Sequence, residues 1–417
     1  MTKSQEVVAE ESATKTPVVD NTTIPEKQQN FEKQFSSKKL FLLERDKELK
    51  QLMYAMLIGE HLFLQGEAGT GKSMLAKHAF QLVKNGKLFA IQMSEATLSE
   101  HLFGAYDMAT WKDKGVLMRD ITNSLLEADF AFIDEIFDGR EDVLRTLLGV
   151  LNERKFSEGR QQEDAILHTA VATANYQTIN EKTLPILDRF IFKAIISPLK
   201  NKNSRLKMYK QHITKDGKLS DYDVKPILDM KQLKDFTNKV YGNVVTIPDK
   251  VLEVYDEMIQ EYIKEIGHKK KKYVSARTIN KLLDIVKAAV LLDGRKKATF
   301  KDLYEVKYGL CTINDNEDET AFELVFKRCV ISLEEENIQK EDIKNLETSL
   351  DLSNFIGKNL TPDKYVQRIK DLKQAITKLD KIDPATPAVR LIRDDLKNKV
   401  QTIYTEGKQK FFKDQSI

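Results

Sequence analysis

The chain is poor in cysteine: its 417 residues include only Cys311 and Cys329. Two thiols support neither a disulfide framework nor a cysteine-held metal cluster. No stretch is long and apolar enough to cross a bilayer. The N-terminus lacks the hydrophobic core of a secretory signal, so the expected location is the cytoplasm. Charge of one sign is lacking too. Lys and Arg number 67 against 64 Asp and Glu, a formal net charge of +3. That balance argues against a strongly basic nucleic-acid surface. The length itself exceeds what one core serves, so two or three units are expected.

Gly66-Glu67-Ala68-Gly69-Thr70-Gly71-Lys72-Ser73 fits G-x-x-x-x-G-K-[ST], the phosphate-binding loop of nucleoside triphosphatases. The flanks suit the motif. His61 to Gln65 reads as a short buried strand, and the residues after Lys72 read as a helix with apolar Met74, Leu75, Phe80 and Leu82. Gly66, Gly69 and Gly71 let the backbone curl until consecutive N–H groups face one anion. The helix N-terminus adds its dipole. Lys72 is expected on the β- and γ-phosphates, and Ser73 on Mg²⁺.

Phe130-Ala131-Phe132-Ile133 reads as a buried parallel strand ending in Asp134-Glu135. Beside a phosphate loop, Asp134 is expected to organise Mg²⁺ and Glu135 to act as general base on water. A third strand, Leu167 to Ala174, ends in Asn175, placed to hydrogen-bond the γ-phosphate or the attacking water. Read alone, Asn175 is an ordinary turn asparagine. Arg189 precedes the apolar run Ile191 to Ile196 and is expected at the surface, within reach of a neighbour's nucleotide. Alone, it is a surface ion-pair partner.

Ser275 suits a helix N-cap. Ile279, Leu282, Leu283, Val286, Ala289 and Val290 recur at helical spacing, and Gly294 closes the helix. Arg277 falls in the first turn, where the helix dipole disfavours a cation. Its presence there predicts an anionic partner, and the γ-phosphate fits.

In this order, phosphate loop, IDE strand, ATAN strand and LDRF resemble an AAA+ ATPase. More narrowly the chain resembles the MoxR family and its RavA-like branch. Leu43-Glu44-Arg45-Asp46 and Gly59-Glu60-His61 match the family's lead into the loop. Leu102-Phe103-Gly104 precedes a stretch similar to its helix-2 insert. Leu147 to Arg154 precedes Lys155 to Ile166, similar to its pre-sensor-1 hairpin. Ser275-Ala276-Arg277 with Gly294-Arg295 is similar to its sensor-2 segment, Ala276 standing where proline is usual. The resemblance spans Phe35 to Ile313. It implies an α/β module of parallel sheet flanked by helices, with an all-helical lid and a helical C-terminal extension. It further implies ATP and Mg²⁺ as cofactors and a homo-oligomeric, hexameric ring. Arg277 would then act in the same chain and Arg189 as a finger from the neighbour. Each cycle would shift the lid against the α/β unit. The family's usual role is chaperone-like remodelling of a protein client, often beside a partner with a von Willebrand A domain.

Four segments follow. Residues 1–34, polar and poor in aromatics, are expected to be disordered. Residues 35–198 would form the nucleotide-binding unit, 199–313 the lid and 314–417 the extension. In the extension Tyr365, Ile369, Leu372, Ile376 and Leu379 make a stripe, and Asp383-Pro384 separates it from a second helix, giving a helical hairpin. The β-rich insert that the RavA-like branch carries has little room here. The run His268 to Lys272 is read as a solvated loop. Three alternatives stay open. In an AAA+ motor acting on nucleic acid, the Lys155–Ile166 hairpin would touch the strand. A σ54-type activator needs a GAFTGA loop where Ala105 to Thr110 stands. A switch that only binds ATP would not need Glu135 and Arg189.

Overall fold

A computed structural model of the chain describes residues 33, 35–37, 40–175, 184–214, 224–269, 272, 274–350, 352, 362–384 and 386–414. The segment expected to be disordered, 1–34, lies outside these residues apart from Lys33. The main strands are β1 (Leu62–Gly66), β2 (Leu88–Gln92), β3 (Phe130–Asp134), β4 (Lys155–Glu158), β5 (Gln161–Asp164), β6 (Thr169–Ala174), β7 (Phe192–Ile196) and β8 (Thr312–Ile313). The main helices run α1 (Asp46–Ile58), α2 (Lys72–Phe80), α3 (Ser99–Phe103), α4 (Met108–Lys114), α5 (Glu141–Glu153), α6 (Lys202–Thr214) and α7 (Met230–Tyr241). They continue as α8 (Asp249–Lys269), α9 (Ala276–Leu292), α10 (Asn316–Phe326), α11 (Ser332–Leu350), α12 (Pro362–Asp380) and α13 (Pro387–Asp414).

Six strands make one sheet in the order β8-β7-β1-β6-β3-β2, and every pairing in it is parallel. A parallel sheet needs both faces covered, and β3 shows how its sequence meets that need. Phe130 and Phe132 enter the core on the α1 and α2 side, while Ala131 and Ile133 enter the core beneath α3 and α5. α5 buries Val143, Leu144, Leu147, Val150 and Leu151, one helical face, on that second side. β4 and β5 pair antiparallel as the expected hairpin.

Helices α7, α8 and α9, the expected lid, share one core with α1 and the sheet. Leu233, Phe236, Met258, Leu282, Ile285 and Val286 join Leu52, Met53, Met56 and Phe80 in a single buried cluster. Polar ties reinforce the seam. Thr237 Oγ1 donates to the Leu57 carbonyl at 2.9 Å, Tyr241 Oη to that of Ile58 at 2.7 Å, and Lys281 pairs with Glu60 at 2.5 Å. α9 begins as its sequence predicts, with Ser275 Oγ accepting from the Thr278 amide. Gly294 follows it at φ 70°, a left-handed turn suited to glycine.

Thr312 and Ile313 stand within the stretch expected to be lid, yet they return to the sheet as its edge strand beside β7. α10 then leads through a π-helical turn, Lys327–Ile331, into α11. α11, α12 and α13 close on a small core of their own, including Ile343, Leu372, Leu379, Val389, Leu396 and Val400. The expected hairpin is therefore α12–α13 with α11 as a third helix. The side chain of Tyr365 lies outside the described residues.

Among the described residues no helix is long and apolar enough to cross a membrane. Lys272, from the basic run read as solvated, is turned inward. It bonds Asp318 Oδ2 at 2.6 Å, Tyr262 Oη at 3.1 Å and the Leu310 carbonyl at 2.9 Å. The reason is Asp318, which is buried at the start of α10 and needs a cation.

Candidate nucleotide site

β1 ends at Gly66, which lies too close to β7 for any side chain. A Cβ on Gly66 would lie 2.2 Å from the Ile196 carbonyl oxygen on β7. Gly69 and Gly71 take φ of 76° and 88°, the left-handed region open to glycine. α2 starts directly after Gly71 with no side chain capping its first turn. Its leading amides are thus available to an anion. Lys72 is buried, and its amine donates to the Gly66 carbonyl at 2.5 Å, the Glu67 carbonyl at 3.2 Å and Asn175 Oδ1 at 3.2 Å.

The carboxyl ends of β3 and β6 meet this lysine, since β6 lies between β1 and β3. Thr173 on β6 links both acids of β3: its hydroxyl donates to Asp134 Oδ1 and accepts the Glu135 amide at 3.3 Å. Glu135 Oε2 in turn accepts the Asn175 amide at 3.0 Å. Glu135 sits at φ 50°, a conformation uncommon for a side-chain-bearing residue and favoured where function demands it. Lys72, Asp134, Glu135 and Asn175 thus form one hydrogen-bonded cluster joined through Thr173. Ser73 follows Lys72 at the start of α2.

Two members of this assembly stand in matched text, the ATAN strand and Glu44-Arg45-Asp46, which does not itself disclose their roles. Thr173 bridges the acids only because β3 and β6 are neighbours, so its one sequence signal is its place two residues before Asn175. Arg45 is the other. Its guanidinium is buried and donates to the Thr70 carbonyl in the loop at 3.2 Å and to the Ser197 carbonyl after β7 at 2.8 Å. It braces the loop from behind.

The remaining arginines lie at the opposite end of the sheet. Phe192, which opens β7, donates its amide to the His61 carbonyl, just before β1. Arg189 therefore sits at the end where β1 begins, about 16 Å of strand away from the loop. Among the described residues it pairs with Asp188 at 3.5 Å, and its Nε is buried with no acceptor. Arg277 lies at this end as well. Its Nη1 donates to Asn152 Oδ1 at 2.9 Å, and the adjacent Leu151 carbonyl meets His61 Nε2 at 2.9 Å. In this structure Arg277 thus stands apart from the loop of its own chain, where the sequence places its expected partner. α9 packs beside α1 and Glu60, which carries its first turn to the wrong end of β1. The partner of Arg277 here is a neutral amide.

The insert after Gly104 is braced rather than free. Arg119 stacks on Tyr106, 4.2 Å from the ring centre, bonds the Gly104 carbonyl at 2.8 Å and reaches Glu158 of the hairpin at 2.9 Å. α4 at its tip buries no side chain and exposes Met108 and Trp111.

A parallel sheet carrying a phosphate loop, with acids at the adjoining strand end, defines a phosphate-loop nucleotide-binding protein. Residues 29–233 match the family model described as the MoxR domain in the MoxR-vWA-beta-propeller ternary systems. This part of the chain belongs to the MoxR family of AAA+ ATPases. Two uncharacterized proteins of Methanocaldococcus jannaschii are 24% and 25% identical to it over 264 residues each. Those matches cover 63% of this chain and 65% and 66% of the relatives' own lengths. The structural protein ORF618 of Acidianus two-tailed virus is 24% identical over 276 residues, covering 60% of this chain and 44% of its own. A Cytophaga hutchinsonii protein assigned as an ATPase by inference has a similar fold. Its TM-score is 0.55 at 18% identity, over 72% of this chain and 96% of that one.

Proposed function

We propose that this chain hydrolyses ATP and uses the energy to remodel protein complexes as part of a ring. The observation that carries the hydrolytic reading is the cluster of Lys72, Asp134, Glu135 and Asn175, drawn together at the ends of three neighbouring parallel strands. Lys72 would exchange its loop carbonyls for the β- and γ-phosphates, with the amides of Gly66 to Ser73 around them. The donor set suits Mg²⁺: Ser73 and Asp134 offer hard oxygen ligands, and Asp134 has one carboxylate oxygen beyond the one that Thr173 engages. When bound, the ion would neutralise phosphate charge. Glu135 takes the proton from the attacking water, and Asn175 holds that water between its own amide group and the base. Glu135 is already oriented for this by the Asn175 amide.

Arg189 is assigned to the neighbour's nucleotide. Its distance from the chain's own loop favours a ligand outside the chain. Arg277, on the same end, would likewise meet only a neighbour's nucleotide. The ring, its hexameric size, the cytoplasmic location and the RavA-like branch belong to this proposal. A von Willebrand A partner is supported by the systems for which the matching model is described.

The test is Glu135→Gln. Binding of ATP with Mg²⁺ should persist while turnover drops by roughly 10²–10⁴. Capture with this form in ATP should then retain the client and any partner. A variant turning over within a factor of a few of the parent would show that another group activates the water.

A further inference from the structure

Two surfaces of this chain are unfinished, and they suit each other. The first is α4. Asp107 caps it, accepting the amides of Ala109 at 2.9 Å and Thr110 at 3.2 Å, and Gly115 ends it at φ 62°. Yet α4 buries no side chain. Met108 and Trp111, three residues apart on one face, are 52% and 48% exposed. So short a helix has little stability of its own and ordinarily gains it by packing. The second surface is a groove of about 750 Å³ between α5 and the β4–β5 hairpin, lined by Thr146, Gly149, Glu153, Phe156 and Glu163 among others. We propose that α4 of one copy seats in this groove of the next copy, with Trp111 against Gly149. The inference rests on the ring of the proposed function and names a contact that builds it.

Gly149 marks the seat. It lies inside α5, where glycine is destabilising relative to alanine. The chain itself does not ask for it. Apart from the helix's own backbone, a Cβ there would meet nothing nearer than the Lys155 carbonyl oxygen at 3.8 Å. The missing side chain leaves a shelf on which a flat ring from outside can lie.

Charge sets the partner. Within the groove Arg145 is paired with Glu141 at 2.7 Å, and Lys155 stands opposite Asp164 in the hairpin. Glu153 and Glu163 form no ion pair among the described residues. Neither do Lys112 and Lys114, both exposed on α4. Two free cations on one surface thus match two free acids on the other. The insert and the hairpin are tied by Arg119 and Glu158 at 2.9 Å, so every copy carries prong and groove as one block. A contact between two different surfaces of the same chain is heterologous, and it closes into a ring where the rotation permits.

The experiment follows assembly of the full chain by sedimentation velocity, with and without ATP and Mg²⁺. Trp111 is the single tryptophan, so its emission reports on this contact directly. In the parent, emission should shift to the blue as the mass rises with concentration. Gly149→Gln fills the shelf. It should raise the concentration of half-assembly by about tenfold or more and keep the emission at its monomer position. Lys112→Glu with Lys114→Glu, and separately Glu153→Lys with Glu163→Lys, should each weaken assembly by a similar factor. An equimolar mixture of the two should recover to within about threefold of the parent, because each prong then meets a groove of opposite charge. Parental assembly in Gly149→Gln overturns the inference alone, as does a mixture that fails to recover. Emission that stays at the monomer position while the mass rises also overturns it, since α4 would then face something other than a second copy. A parent that remains a monomer in every condition overturns the ring and this contact with it. If Gly149→Gln does not fold, the mixture of charge-swapped chains decides.

Discussion

Thr173→Val would test whether the hydroxyl joining the two acids matters to the chemistry. Valine has nearly the same shape, and Thr173 is fully buried, so packing is preserved. Two interactions vanish: the donor to Asp134 Oδ1 and the acceptor for the Glu135 amide. A hydrogen bond to a charged group contributes roughly 1.5–3 kcal/mol, and an orphaned amide costs about 1–3. Both figures need discounting. Asp134 is partly exposed, so water can replace the hydroxyl, and the 3.3 Å contact to Glu135 is long. The stability loss should therefore lie near the low end, about 1–2 kcal/mol. Catalysis should suffer more, because Asp134 and Glu135 lose a shared reference point while Glu135 holds a φ of 50°. A cost of about 1.4–2.7 kcal/mol in the transition state is a 10- to 100-fold fall in kcat. ATP affinity, set mainly by the loop, should change by less than about threefold. Phosphate release under saturating ATP gives kcat, and urea titration gives stability. Thr173→Ser retains the hydroxyl and should restore most of the rate. Parental turnover in Thr173→Val, or an equal loss in Thr173→Ser, would refute the reasoning.

Lys72→Ala should abolish nucleotide binding, since it removes the main cation facing the phosphates; near-normal affinity by calorimetry would contradict the site. Arg189→Ala should bind ATP normally and lose turnover by roughly 10³–10⁵. Mixed with Lys72→Ala it should regain activity at interfaces that pair an intact Arg189 with an intact Lys72. No recovery after proven subunit exchange would remove the trans role. Stability should also fall with acid. Burial pushes the His168 imidazole down from 6.5 to about 4, the nearby Arg154 charge acting in the same direction and a bond to the Met56 carbonyl opposing it. The folded state thus declines a proton that the unfolded chain accepts. The contribution is full above about pH 6.5, shrinks as pH falls, and levels off below about 4. Between pH 7 and 5 the loss is about 2 kcal/mol. Buried His61, also lowered by desolvation, adds in the same direction. Urea midpoints should drop over that window and drop less in His168→Gln; a flat profile would contradict this account.

What the sequence made legible was local. The loop, the strand running into Asp134, the cap at Ser275 and the hairpin are each written in contiguous residues, and each occurs where its pattern says. What it hid depends on which strands are neighbours. Thr173 is one threonine among many until β6 is laid against β3. Arg45 and Asn314 lie 269 positions apart and hold carbonyls at the same end of β7, that of Ser197 just past the strand and that of Ile195 within it. Arg277 shows a local inference running out. A cation in a first turn does suggest a partner, but only the packing of α9 reveals that the partner is Asn152. Lys272 misled for a similar reason, since the carboxylate that draws it inward lies 46 residues further on.

The continuous core beneath α1, α7, α8 and α9 bears on how work would leave the molecule. A hinge needs a seam that opens at little cost, and here that seam is filled by Met53, Met56, Phe236, Met258 and Ile285. Pulling α7–α9 away from α1 would expose several large side chains, each costing about 1.5–3 kcal/mol. The sheet and these helices should accordingly turn as one solid piece. In the proposed ring, a stroke driven by hydrolysis would then be relative rotation between whole chains, with each boundary between copies serving as the joint.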